Sequence, residues 1–142
     1  MTATAAAVRP AALTANIEQF YADQVQALDR GDFAAYAATF VPEAVFRIAG
    51  LRTLLGRAQI VDHSRTLRAE RSARNAVQRH YMSNYSVEST AAGVLVRAIV
   101  LTVESAPGQP ARPTGIISCE DILTLDAEGR YLVELRTAMR LA

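Results

Sequence analysis

The chain predicts an α+β fold in which a curved antiparallel sheet wraps into a cone around a long N-terminal helix. Three observations carry this. Apolar residues recur at helical spacing through the first part, the period changes to two after Asn75, and turn-forming clusters then follow at hairpin intervals. At 142 residues the chain suits one domain, taken as 11–142, able to bury about two-thirds of its unfolded surface. Residues 1–10, Ala-rich and ending at Pro10, are expected to form a flexible tail.

The first helix is expected from Ala11 or Thr14 to Arg30, where Leu13, Ile17, Phe20, Tyr21, Val25 and Leu28 make an apolar stripe. A second, Asp32 to Phe40, buries Phe33, Tyr36 and Phe40, and Pro42 ends the helical run. Ala44 to Ile48 reads as a strand, followed by a loop containing Gly50. A third helix starts near Gly56 and carries Ile60, Val61, Ser64 and Leu67 inward with its arginines outward. Strands follow over Val77 to Glu88, Gly93 to Glu104, Thr114 to Asp126 and Arg130 to Leu141. Ala91-Ala92-Gly93, Pro107-Gly108-Gln109-Pro110 and Asp126-Ala127-Glu128-Gly129 mark the turns between them. The order α-α-β-α-β-β-β-β segregates helices from an antiparallel meander. A strongly curved sheet packed on helices leaves a cone whose open end suits a ligand.

Composition removes several function classes. Net charge is +1 with no basic run; Arg65, Arg68, Arg71, Arg74 and Arg79 are spaced as the solvated side of a helix, which argues against nucleic acid as a partner. All 15 basic residues are arginine, so this chain offers no lysine for a Schiff base or for pyridoxal-phosphate chemistry. Cys119 is alone in the apolar run Gly115-Ile116-Ile117-Ser118-Cys119, a packed thiol suited to a reducing compartment. The first residues lack the basic leader and apolar core of a signal peptide, and no apolar run reaches the roughly 20 residues of a membrane span. A cytoplasmic protein without membrane contact is expected.

The segment Ala27-Leu28-Asp29-Arg30-Gly31-Asp32-Phe33 holds two aspartates under opposite rules. Asp32 stands where a helix begins and can accept its free N–H groups. Asp29 falls in the last turn of the preceding helix, before Gly31, facing the negative end of the dipole. A broken local rule without local gain marks a place to seek function. Solvation of Asp29 is the alternative.

Two histidines are present, His63 and His80. Alternation along Arg79-His80-Tyr81-Met82-Ser83-Asn84-Tyr85 puts His80, Met82 and Asn84 on one face, a set better suited to a pocket wall than to a dry core. A structural, hydrogen-bonded His80 is the competing reading. His63, among Asp62, Ser64 and Arg65, is expected at a surface or pocket rim. No His-x-x-x-His spacing, Gly-rich loop or Gly-x-Ser-x-Gly elbow is present, so neither a metal site nor a nucleotide site is expected. What remains is Asp29 paired with His80, the carboxylate fixing the tautomer and raising the basicity of the other ring nitrogen. Such a dyad in an apolar cavity suits proton abstraction beside a carbonyl, water elimination or aldol-type closure, none needing a cofactor if hydrogen bonds hold the enolate. Tyr21 and Asn84 are the candidate donors. Arg97, Arg136 and Arg140 are expected at the surface, strand register being undetermined.

With these residues in view, the chain resembles the nuclear transport factor 2-like superfamily and, within it, the SnoaL-like and scytalone dehydratase-like branch. The carrying segments are Ala27 to Phe33 and Gln78-Arg79-His80-Tyr81-Met82-Ser83-Asn84. The resemblance implies Asp29 and His80 as the catalytic pair and a homodimer packed through the sheet. Three departures accompany it: Leu28 where the dehydratases carry tyrosine, no histidine between Gly93 and Glu104, and no tyrosine between Ala44 and Ile48. The sparser set fits SnoaL-like cyclases, dehydratases and isomerases of polyketide pathways. The expectation is therefore a cofactor-independent lyase or isomerase for a small apolar hydroxy-ketone or polyketide-like substrate. A non-catalytic ligand-binding or accessory subunit is the alternative, marked by a separated Asp29 and His80 or a filled cavity. Epoxide opening is a third reading, which calls for further pocket carboxylates.

Overall fold

The computed structural model describes residues 11–142; the tail expected over 1–10 lies outside the described residues. The elements are α1 (Ala11–Asp29), α2 (Phe33–Ala38), β1 (Phe40–Ile48), β2 (Arg52–Leu55), α3 (Gly56–Ser72), β3 (Val77–Thr90), β4 (Gly93–Ser105), β5 (Arg112–Leu125) and β6 (Tyr131–Arg140). One curved, unclosed six-stranded sheet has the order β2-β1-β6-β5-β4-β3 and carries the helices on its inner face. The last four strands form the expected meander, each antiparallel to the next.

The end of α1 follows from Gly31. Its φ of 79° lets its N–H reach the Leu28 carbonyl at 3.1 Å, while the Asp32 N–H reaches Ala27 at 2.9 Å, closing a Schellman turn. Asp32 then caps α2 by accepting from the Ala35 N–H at 3.1 Å. The chain reverses here within three residues and leaves Asp29 at the helix terminus.

Three expectations need correction. Helix α2 stops at Ala38, and Phe40, expected as its last buried residue, instead opens β1. Pro42 lies inside that strand, where the pairing of β1 with β6 is irregular between Phe40 and Val45, so its missing N–H breaks no regular ladder. The loop expected after Gly50 contains β2, a four-residue edge strand with Leu54 alone fully buried, too short to show a period of two. The sheet is also not wholly antiparallel, because β1 returns beside β6 in the parallel sense.

At the buried end of the cone lies an ion pair rather than a hydrocarbon plug. Asp121 and Arg136 are direct partners across β5 and β6, with contacts of 2.8 Å (Nε to Oδ1) and 2.7 Å (Nη2 to Oδ2). Tyr21 of α1 donates to Asp121 Oδ2 at 2.7 Å, and Arg136 donates to Gln24 at 2.7 Å and to the Tyr36 hydroxyl at 3.2 Å. Its guanidinium also lies 5.1 Å from the Phe40 ring centroid and 5.4 Å from that of Phe46. Burial opposes the charge on Arg136, but the charge and hydrogen bonds of Asp121 together with the other groups around it outweigh burial and raise the guanidinium pKa well above its ordinary value. The expected surface position of Arg136 is thus overturned; Arg97 does lie outside, paired with Glu120.

Arg136→Met should destabilise the protein by about 3–5 kcal/mol, because it strands a buried carboxylate. Adding Asp121→Leu should restore a large part of that loss in urea unfolding. A double variant as unstable as the single one would show that burying the lone charge is not the cause.

Candidate active site

Asp29 and His80 meet. Strand β3 is a sheet edge, so its outward-facing amides have no neighbouring strand. The Asp29 carboxylate at the end of α1 fills that vacancy: Oδ2 accepts the His80 backbone N–H at 3.1 Å and Oδ1 lies 2.6 Å from His80 Nδ1. A carboxylate only accepts, so Nδ1 carries the proton and Nε2 remains the basic nitrogen. The side chains keep 12% and 19% of their surface exposed, which shields the contact without sealing it. On the other side, Arg68 donates to the Asp29 backbone carbonyl at 3.3 Å, placing a cation at the negative end of α1.

His80 lines a cavity of about 440 Å³ between α1, α3 and the inner face of the sheet. Val25, Leu28, Leu54, Val100 and Ile117 supply much of its apolar wall. Met82 and His63, both expected at the pocket, line it as well. Burial, and then Arg52, lower the His63 pKa, so this imidazole is neutral at neutral pH.

Two expected donors lie elsewhere. Tyr21 is buried with its hydroxyl committed to Asp121, outside the cavity lining. Burial, reinforced by Asp121, pushes its phenol pKa far above the usual value. Asn84 is exposed and also outside the lining. It has φ 59° at an irregularity between Ser83 and Ser86, where the strand alternation that grouped it with His80 is lost.

Other polar groups take their place. Gln24, Tyr36 and Arg136 form the buried pole of the cavity. The Tyr36 oxygen accepts from Arg136, and burial raises the phenol pKa, so its proton stays available for donation. Ser64, Gln78, Arg71 and Arg140 also line the wall. Spacing along α3 carries the signal for Arg71, since Ile60, Ser64, Leu67 and Arg71 share one helix face. Cys119 faces the cavity as a neutral thiol, its pKa pushed up to about 12 chiefly by burial. Among the described residues, no group of three His, Cys, Asp or Glu side chains could hold a metal ion. No described helix is long and apolar enough to cross a membrane.

Comparison with known proteins agrees with this architecture. No curated protein matches the chain, whereas solved structures superpose over nearly all of it. ActVI-ORFA from Streptomyces coelicolor is 26% identical with a TM-score of 0.86, covering 93% of this chain and 97% of its own. Aln2 from a Streptomyces species is 26% identical with a TM-score of 0.85 and coverage of 93% of both chains. A Catenulispora acidiphila protein in complex with S-DNPA is 29% identical with a TM-score of 0.80, covering 92% and 94%. The SnoaL-like domain matches residues 9–137, nearly the whole chain, and on that match the protein belongs to the SnoaL-like family.

Proposed function

We propose that this protein is a cofactor-independent acid–base enzyme, a dehydratase, cyclase or isomerase, acting on a small hydroxy-ketone or polyketide-type intermediate. The observation that carries this reading is the 2.6 Å contact between Asp29 and His80 Nδ1 at the wall of a 440 Å³ cavity. His80 Nε2 takes a proton from the carbon beside the substrate carbonyl. Asp29 holds the ring in the tautomer that can accept it and stabilises the imidazolium that forms. The resulting enolate oxygen is held by a hydrogen-bond donor, for which the Tyr36 hydroxyl is the strongest candidate. The same imidazolium then returns its proton, either to a departing hydroxyl or to another carbon.

The alternative of a non-catalytic binding module has two marks, a separated pair and a filled cavity. Neither is met, since the pair is joined and the cavity is open. Epoxide opening by a carboxylate array draws no support either, because no aspartate or glutamate lines this cavity among the described residues. A small-molecule ligand is in keeping with the similar Catenulispora acidiphila protein in complex with S-DNPA. A cytoplasmic location, in which Cys119 stays reduced, completes the reading.

The protein further acts as a homodimer through the outer face of the sheet. Tyr81, Leu101 and Ile116 are register partners across β3, β4 and β5, and Ile99 and Met139 flank them. Tyr81 is 56% exposed and Met139 49%, an apolar band that a second copy would cover.

Two outcomes are expected. His80→Gln and Asp29→Asn should each lower the elimination or cyclisation of an aromatic β-hydroxyketone, followed by its absorbance change, by about 10²-fold or more with the fold intact. Undiminished turnover in both variants would remove the dyad. Sedimentation should give a dimer for the parent protein and a monomer for Leu101→Arg; a monomeric parent at micromolar concentration would count against the interface.

A further inference from the structure

The charge around the cavity is one-sided. Arg71, Arg136 and Arg140 line it, and no aspartate or glutamate does so among the described residues. Two of these cations are committed. Arg136 is neutralised by Asp121 behind the wall, and Arg140 donates to the Thr114 carbonyl at 2.6 Å. Arg71 is different. Its neighbours in sequence are engaged, Arg68 on α3 with the Asp29 carbonyl and Arg74 in the turn after it with Glu104, yet the Arg71 guanidinium has no hydrogen-bond or ion-pair partner among the described residues.

Arg71 also stands at a boundary. Behind the dyad lies a small polar annex of about 60 Å³, lined by Asp29, Arg68, Ser72 and others. Leu28, Arg71, Gln78 and His80 line both spaces and form the wall they share. Gln78 precedes His80 by two residues on the same strand face and brings an amide to that wall. Here a half-buried cation, an amide and the imidazole converge at the edge of the cavity, whose wall is largely apolar. Even a half-buried charge loses part of its hydration, a cost that a ligand supplying the counter-ion offsets.

We propose that the substrate is an anion, and that Arg71, assisted by Gln78, binds its carboxylate while the apolar body occupies the main cavity beside His80. The inference rests on the reading of this cavity as the substrate site and adds the charge class of the ligand. The geometry suits a carboxylate at the edge of the main cavity, where its two oxygens match the planar fork of a guanidinium and no acidic side chain lines the wall among the described residues. Charge crowding points the same way. Burial first, then Arg68 and Arg74, lower the Arg71 pKa against the smaller opposing pull of Asp29 and Glu70, a disfavour that a bound anion would relieve. Arg71 thereby acts in substrate positioning: fixing the acidic arm would turn the carbon to be deprotonated toward His80.

The test compares 2-naphthylacetate with its neutral isostere 2-naphthylacetamide by isothermal titration calorimetry on the intact protein. The acid should bind at least about tenfold more tightly than the amide at low salt, an advantage that shrinks as salt is added. Arg71→Gln should abolish the preference, and Arg71→Lys, which keeps the charge but not the fork, should retain part of it. Equal affinities in the parent protein, absence of binding by either probe, or a preference that survives Arg71→Gln would overturn the proposal. The acid preference should persist in His80→Gln. Loss of the dyad reading would thus leave this result standing, and equal binding of acid and amide would leave the dyad untouched.

Discussion

The pair formed by Asp121 and Arg136 is the constraint on which the arrangement of this molecule depends. Two charges removed from water are tolerable only if their remaining donors and acceptors are filled. Here the filling groups come from three different places: Tyr21 and Gln24 on α1, Tyr36 on α2, and the rings of Phe40 and Phe46 on β1. Each bond fixes one element against the paired strands β5 and β6. Gln24 continues the chain of contacts to the Thr39 hydroxyl at 2.7 Å, which in turn donates to the Tyr36 carbonyl at 2.6 Å. A one-residue slip of α1 would turn Tyr21 and Gln24 by about 100° and leave the ion pair short of partners. The helix therefore has one acceptable register.

That register sets the position of Asp29. The helix continues five residues beyond Gln24, about 7.5 Å along its axis, and delivers the carboxylate to the edge of β3. A carboxylate at a helix C-terminus is unfavourable by a few tenths to about 1 kcal/mol, but an edge-strand amide needs an acceptor and the imidazole needs an orienting partner. One aspartate meets both needs, with Arg68 offsetting the dipole from behind. Gly31 makes this possible. A Cβ there would lie 2.7 Å from the Arg68 guanidinium, and the φ of 79° is one that other residues rarely adopt.

The sequence made this part of the site legible because it involved local anomalies. Asp29 broke a dipole rule within a readable helix, and His80 sat on a strand long enough to alternate. The apolar stripe of α1 and the turn clusters after Asn75 likewise carried the fold through short-range patterns. What stayed hidden depended on register or on backbone irregularity. Arg136 meets Asp121 through the β5–β6 pairing and lies 100 residues from Tyr36, so its burial has no local signature. Tyr21 shares the stripe of α1, but two turns separate it from Asp29, and its hydroxyl serves Asp121 instead. Strand alternation misplaces Asn84 because it assumes a regular strand, whereas the chain takes a left-handed φ there. Arg71 was open to detection, since it continues the spacing of Ile60, Ser64 and Leu67, but its charge suggested the solvated face.

The groups that are missing shape the chemistry as much as those present. Leu28 stands at the cavity where the resembling dehydratases carry tyrosine, Val100 of β4 brings no second histidine, and Phe46 and Ile48 of β1 bring no tyrosine. Away from the edge formed by Arg71, Gln78 and His80 the cavity wall is correspondingly apolar, and charge interactions there are less screened than in water. His63 is neutral at neutral pH and on another element, leaving His80 as the one imidazole coupled to a carboxylate. A catalyst with a single proton carrier must return the proton it removes. It can then eliminate water when the hydrogen and the hydroxyl leave from the same face, or move a proton between two neighbouring atoms, provided the substrate is held close enough for both transfers. Such a site leans on positioning more than one with separate acid and base groups. A cation at its rim and a phenol hydrogen-bonded to Arg136 at its base are contacts on which such positioning can draw.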